Sequence, residues 1–366
     1  MDKSSKILVT GGSGMVGSAI IRCLLKEGYS NIISTYHSNT PSGFDTDVRF
    51  YKIDLTNQIQ SASLLAQEKP HYVFVASAKV GGIESNNTLR AEFIYQNLQM
   101  QCNVIHYSYL TGVKKLIFLG SSCIYPRHCP QPMKEEHLLT SALEYTNEPY
   151  AIAKIAGLKM CESYNLQYGT NYLCLMPTNL FGINDRFNLI HSHVIPALIR
   201  KFHLAKCLRN RDFDAIYRDL TSRDIGYTMK DTIDETLRDA GITSDYVEIW
   251  GSGNARRDFL YVDDLASACV FVMQNVDFSD LTSGKTEVRN THINIGSGQD
   301  ISIRDLSVLI REVVGFDGEI RFNTSKPEGM PVKLLDNTLI LSLGWEPSTT
   351  LRDGLIQTYK WYLESI

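Results

Sequence analysis

The first half of the chain alternates short apolar runs with longer stretches in which apolar residues recur about every 3.6 positions. Lys6–Thr10 (KILVT) predicts a buried strand and Val16–Glu27 an amphipathic helix. Asn31–Thr35 and Val48–Ile53 predict further strands, and Tyr72–Ala76, Leu116–Gly120 and Tyr172–Met176 continue the series. Helical patterns at Leu89–Thr111 and Tyr150–Tyr168 separate the later strands. Strands alternating with helices predict an α/β fold on a doubly wound parallel sheet. Such sheets bind ligands beyond the carboxyl ends of their strands.

After residue 180 the rhythm loosens. Val194–Leu204 predicts a helix with Pro196 in its first turn. Leu204–Asp245 is polar and weakly periodic, with one helix expected near Met229–Ala240. Val247–Trp250, Asp258–Val262, His292–Ile295 and Glu319–Phe322 predict strands. Asp264–Gln274, Ile303–Val314 and Leu351–Ser365 predict helices. The expected organisation is a large domain over about residues 1–180, rejoined by about 255–290. A smaller discontinuous α/β domain is expected from about 181–254 and 291–366.

The chain has 366 residues, 43% hydrophobic and 21% charged, an ordinary globular composition. A net charge of -4 with scattered lysines and arginines lacks the footprint of a nucleic-acid binder. No apolar run reaches the roughly 18 residues a membrane span needs. Met1–Lys6 leads directly into a strand, so no signal peptide is expected. The 8 cysteines form no C-x-x-C pair, so free thiols in a reducing cytoplasm are expected rather than disulfides or zinc. His191 and His193 have no further ligands beside them in sequence, and no metal is expected.

Gly11, Gly14 and Gly17 form a G-x-x-G-x-x-G pattern between the first strand and first helix. Such glycines permit a tight turn and let backbone N–H groups approach a pyrophosphate at the positive helix end. A Rossmann dinucleotide site follows from that placement. The second strand ends Ser34-Thr35-Tyr36-His37-Ser38, without the carboxylate that would bind an NAD ribose and repel a 2′-phosphate. NADP is therefore expected, although no arginine stands ready for the phosphate. Asp54-Leu55 after the third strand fits an adenine contact, and a capping aspartate equally well. Tyr150 and Lys154 are spaced i, i+4 on one helix face, where an ammonium beside a phenol should favour the phenolate. That pair predicts a general acid or base. Ser121 follows the preceding strand and completes the constellation.

The fingerprint, Ser121 and Tyr150/Lys154 together resemble the extended short-chain dehydrogenase/reductases. Within them the chain resembles the GDP-L-fucose synthase family, the GDP-4-keto-6-deoxymannose 3,5-epimerase–4-reductases. The matching stretches are Ala78–Ile83, Gly120–Pro126, Asn147–Gly157, Cys161–Gly169, Met176–Leu180, Ser192–Leu198, Arg257–Asp264 and Lys333–Asp336. With the glycine fingerprint, the resemblance covers nearly the whole chain.

The resemblance implies NADPH held by Gly11, Ser13, Gly14, Met15, Val16, Gly17, Asp54, Leu55, Tyr150, Lys154, Pro177, Asn179, Leu180 and His193. It implies a GDP-sugar held by Lys79, Val80, Ser122, Asn179, Lys201, Trp250, Arg257, Glu328 and Lys333. A 4-keto group acidifies the C–H bonds at C3 and C5, and epimerising them needs a base on one face and an acid on the other. The resemblance gives those roles to Cys123 and His193, and gives Tyr150 the proton to O4. Ser121 would hold O4 and the enolate charge. A homodimer through the helices at Leu89–Thr111 and Tyr150–Tyr168 is implied as well.

The chain departs from the family at Arg186, where asparagine is usual, and at Lys201, where other members have arginine. Leu204–Tyr246 is longer than the family linker by roughly 30 residues, well beyond ordinary loop lengths. Trp250 could alternatively be a core residue closing its strand. GDP-4-keto-6-deoxy-heptoses are the nearest alternative substrates. A 4,6-dehydratase would need Thr-Asp/Glu-Glu where Ser121-Ser122-Cys123 stands, and a cofactor-sensing module would lack Tyr150 or Lys154. Steady-state kinetics with the two nicotinamide cofactors should show NADPH preferred, and a strong NADH preference would overturn that expectation.

Overall fold

A computed structural model of the chain describes residues 1–41, 43–44, 48–189, 192–223, 233–326 and 329–366. The chain divides into two units. The first comprises Met1–Leu180, Leu260–Gly298 and Leu334–Ser348, and the second Phe181–Phe259, Gln299–Lys333 and Thr349–Ile366.

The first unit runs β1 (Ile7–Thr10), α1 (Met15–Lys26), β2 (Ile32–Tyr36), β3 (Val48–Lys52), α2 (Gln58–Glu68) and β4 (Tyr72–Val75). It continues with α3 (Ile83–Thr88), α4 (Arg90–Leu110), β5 (Lys115–Leu119), α5 (Glu148–Tyr168) and β6 (Tyr172–Pro177). These strands and Ile293–Ile295 form a 7-stranded sheet in the order Ile293–Ile295, β6, β5, β4, β1, β2, β3. Every pairing in it is parallel. The alternation of side chains along each strand sorts two apolar layers. Ile7 and Val9 face Ala19, Ile20 and Leu24 of α1, and Leu265, Cys269 and Met273 of the helix Val262–Asn275. Leu8 faces the other way, in a layer with Leu64 and Leu65 of α2, Val104 and Ile105 of α4, and Leu158 of α5.

Two elements differ from expectation. The helix α2 carries little apolar periodicity, and it starts where the Asn57 side chain accepts the N–H of Gln60. Ile293–Ile295, expected in the smaller domain, is the edge strand of the large sheet, paired with Leu175–Pro177. Three buried residues carry no alternation that would say which sheet they join.

In the second unit Tyr246–Trp250 pairs in parallel with Glu319–Asn323. Arg256–Tyr261 takes Asp300–Ser302 antiparallel and Val332–Lys333 parallel. The helix expected at Val194–Leu204 runs on to Arg209, and the weakly periodic stretch beyond it forms a further helix, Phe213–Arg223. Of the helix expected near Met229–Ala240, Ile233–Asp239 is helical, and residues 229–232 lie outside the described residues.

Arg200 binds those two helices together. Its fully buried guanidinium meets the buried carboxylate of Asp219 at 2.6 and 2.7 Å and donates to the Phe187 carbonyl at 2.8 Å. The Tyr362 hydroxyl donates to the second Asp219 oxygen. Asp219→Ala strands a buried cation and should cost about 3–5 kcal/mol in urea unfolding. A loss below about 1 kcal/mol would mean that water reaches the pair.

Candidate active site

The turn after β1 is built for close approach. Gly11 has φ +73°, and a Cβ on Gly17 would lie 2.2 Å from the Gly11 carbonyl oxygen, so α1 meets the turn only through glycine. Gly14 caps α1 with no side chain of its own to accept the first N–H groups, those of Met15, Val16 and Gly17. Those donors, at the positive end of the helix dipole, suit a pyrophosphate. Gly12 N–H donates to the Thr35 carbonyl at 2.8 Å, which holds the end of β2 beside the turn. His37 and Ser38 follow there, exposed, with no carboxylate among them. The arrangement therefore fits a dinucleotide. Ser13 is half-buried in the same turn. Asp54 serves its own loop: its carboxylate accepts from the N–H and hydroxyl of Thr56 at 2.9 and 2.7 Å, while Leu55 is buried in the core.

The proposed reacting groups gather at the end of β5. There Ser121 caps a single helical turn, Ser122–Ile124, and its Oγ accepts the Cys123 N–H at 3.2 Å. The Cys123 thiol sulfur accepts from the Asn147 side-chain amide at 3.3 Å. Tyr150, in the first turn of α5, sets its ring edge-on to Phe93. Lys154 is 3% exposed and donates to the Leu119 carbonyl at 2.8 Å. Its Nζ lies 4.9 Å from the Phe118 ring centroid and 5.8 Å from that of Tyr150.

This geometry corrects the expected electrostatics. Burial raises the Tyr150 phenol well above its ordinary pKa, and negative charge on Cys123 adds to the shift against the Ser121 hydrogen bond. The ammonium is aimed at a carbonyl rather than at the phenol oxygen, so it does not pull the phenol toward ionisation. Burial also brings Lys154 down to about 8. Tyr150 is thus a protonated donor at neutral pH.

Other expected positions in this unit are laid out along the strand ends. Lys79 gives its N–H to the Asn97 side chain at 3.0 Å and its ammonium to Glu92. Val80 is exposed and Ser122 buried. Pro177 ends β6, and the half-buried Asn179 and Leu180 follow. Asn147 carries no signal of its own in the sequence, although it opens the matched stretch Asn147–Gly157.

In the second unit His193 precedes the helix Val194–Arg209. The surrounding protein lowers its proton affinity, and the Lys333 charge lowers it further. Lys333 stands in register with Arg257, which donates to the Met330 carbonyl at 2.6 Å and the Arg256 carbonyl at 2.7 Å. Lys201 is buried, brought to about 8 by that burial, and donates to the Glu248 carbonyl at 3.1 Å. Its first partner is thus the protein itself. Trp250 is 53% exposed, which removes the alternative of a core tryptophan. The ammonium of Lys326, which no motif marked, lies 5.3 Å from its ring centroid. Glu328 lies outside the described residues.

Residues 7–296 match the NAD dependent epimerase/dehydratase family. The chain belongs to this family. GDP-L-fucose synthase 1 of Arabidopsis thaliana is 46% identical over 365 residues, covering 100% of this chain and 95% of the relative. Among solved structures, a GDP-6-OMe-4-keto-L-xylo-heptose reductase from Campylobacter jejuni is 41% identical with a TM-score of 0.91, covering 100% and 99% of the two chains. A GDP-D-glycero-L-gluco-heptose synthase from the same organism, solved in the presence of NADPH, is 41% identical with a TM-score of 0.88, covering 99% of each chain.

The buried Lys154 charge carries a cost in stability. A lysine whose folded pKa lies below its unfolded value destabilises the fold wherever it must stay charged, and the penalty eases as pH rises from about 8 toward 10.5. Lys154→Met removes that charge but leaves the Leu119 carbonyl unpartnered. The variant should lose activity yet gain about 1 kcal/mol in thermal unfolding at pH 7. The gain should shrink by pH 9.5. A variant less stable than its parent at pH 7 would refute this account.

Proposed function

We propose that the protein converts GDP-4-keto-6-deoxymannose to GDP-L-fucose by 3,5-epimerisation and NADPH-dependent reduction at C4. The observation that carries this is the gathering of Ser121, Cys123, Tyr150 and Lys154 at the end of β5, in a chain that also has the fingerprint turn after β1 and is 46% identical to a GDP-L-fucose synthase. The first unit takes the cofactor and the second supplies groups for the GDP-sugar.

The substrate ketone spreads the negative charge left when a proton departs from C3 or C5. Cys123 and His193 are assigned as the acid–base pair that moves those protons. The surrounding protein and Lys333 oppose a positive charge on His193, so its imidazole is neutral at pH 7 and readily returns a proton it has taken up. Ser121 holds O4 by a hydrogen bond that strengthens as charge gathers there. NADPH, when bound, supplies the hydride for C4. Tyr150, kept protonated by burial, donates its proton to O4. Lys154, held by the Leu119 carbonyl, is assigned to orient the cofactor ribose.

Lys79, Val80, Ser122, Asn179, Lys201, Trp250, Arg257, Glu328 and Lys333 are assigned to the GDP-sugar. The heptose enzymes among the similar structures favour a second reading, the same or reductase-only chemistry on a GDP-4-keto-6-deoxy-heptose. A homodimer through α4 and α5 suits the exposed Tyr95, Leu110, Ile152 and Leu166 on those helices. A reducing cytoplasm suits cysteines that form no disulfide among the described residues, where no helix is long and apolar enough to cross a membrane.

Incubation with each GDP-4-ketosugar and NADPH, with NMR of the product, should give GDP-L-fucose from the hexose. Turnover far higher with the heptose would select the second reading. Cys123→Ser should slow deuterium uptake from solvent at C3 and C5 by about 100-fold or more while NADPH still binds. Undiminished uptake would remove Cys123 from the mechanism.

A further inference from the structure

The turn that carries Ser121 and Cys123 is too short to hold itself. Its three helical residues keep one internal hydrogen bond of the helical kind, from Ile124 N–H to the Ser121 carbonyl at 3.2 Å. Immediately beyond it lies a buried polar knot. Tyr125, 3% exposed, donates its hydroxyl to the Asn294 side-chain oxygen at 2.5 Å, and its oxygen lies 2.9 Å from His292 Nε2. A phenol that donates to Asn294 must accept from His292, which makes His292 the neutral Nε2–H tautomer. Burial agrees, bringing that imidazole down to about 3. Its Nδ1 is buried without a hydrogen-bond partner.

Asn294 extends the knot. Its side-chain amide donates to the Met133 carbonyl and its N–H to the Glu135 carboxylate, both at 3.0 Å. Asn294 is the middle residue of the edge strand Ile293–Ile295, and both Asn294 and His292 are fully buried. The phenol therefore fastens a turn at the end of β5 to a strand two places across the sheet. Such a network is costly to leave half-satisfied in a dry interior. Nothing in the acid–base chemistry proposed above uses it.

We infer that Tyr125 is a positioning residue: its hydroxyl, clamped between His292 and Asn294, sets the place of the Cys123 thiol two residues before it. This rests on the role proposed for Cys123, but the placement can be measured apart from that role. Tyr125→Phe keeps the ring and removes the clamp. Alkylation of Cys123 by iodoacetamide, read by peptide mass spectrometry, should change about threefold or more, as the thiol leaves the Asn147 amide. Deuterium uptake at C3 and C5 should fall about tenfold with NADPH affinity unchanged.

Asn294→Ala should act in the same direction and gives the same measurements where Tyr125→Phe does not fold. The double variant should lose little more than either single one, because both break one clamp. A purely structural role would lower the melting temperature but leave alkylation and uptake per folded molecule at parental values, and that result would overturn the inference. Full additivity of the two losses would overturn it too. Cys123→Ser with normal uptake would instead remove the base assignment, and the alkylation rate of Tyr125→Phe would still decide the placement.

Discussion

The bond from the Lys154 ammonium to the Leu119 carbonyl is the constraint from which the proposed site takes its shape. It joins α5 to the last residue of β5, so helix and strand end cannot slide past one another without stranding a buried cation. Tyr150 lies one helical turn before Lys154, and Ser121 two residues beyond Leu119. Fixing Lys154 to Leu119 therefore fixes the phenol against the serine. The flat Phe118 ring beneath the ammonium supplies part of what water would have given it.

Burial acts on the two members of that pair in opposite senses. A phenol becomes charged by losing a proton and an ammonium by keeping one, so removal of water raises the first and lowers the second. Their proton affinities move apart in favour of the phenol, with Tyr150 neutral and its proton available. That suits reduction, in which a ketone oxygen must end as a hydroxyl. It also explains why spacing alone misjudges the pair. Spacing of i, i+4 places the residues on one face, but where the ammonium points depends on the carbonyl it finds.

The same distinction separates what is legible in the sequence from what is not. Continuous apolar runs mark β1, β4, β5 and β6, because a strand covered on both faces has no solvent side to interrupt the run. The glycine turn is legible for a comparable reason, since only glycine allows Gly17 to meet Gly11. Contacts distant in sequence leave no such mark. Ile293–Ile295 reads as any short apolar segment until its neighbour Leu175–Pro177 is known. Asn147 beside Cys123, and Lys326 beside Trp250, are polar residues of ordinary kind whose value lies in where the chain returns them.

In the second unit the long segment 204–246 is hidden from the sequence in the same way. Its sequence is polar and only weakly periodic, with one helix expected near Met229–Ala240, yet the chain buries it at both ends. Ile216 and Leu220 are buried on the helix that presents Asp219 to Arg200. At the other end Leu237 and Ile242 are buried, and Glu248 N–H donates to the Gly241 carbonyl at 2.7 Å. A buried ion pair with the Tyr362 hydroxyl on its second oxygen is not how a protein secures an appendage, because desolvating both charges costs several kcal/mol unless every partner is in place. The partners come from three separate stretches of chain, at Phe187, Asp219 and Tyr362. The described ends of the segment are thus built into the core of the second unit rather than hung from its surface.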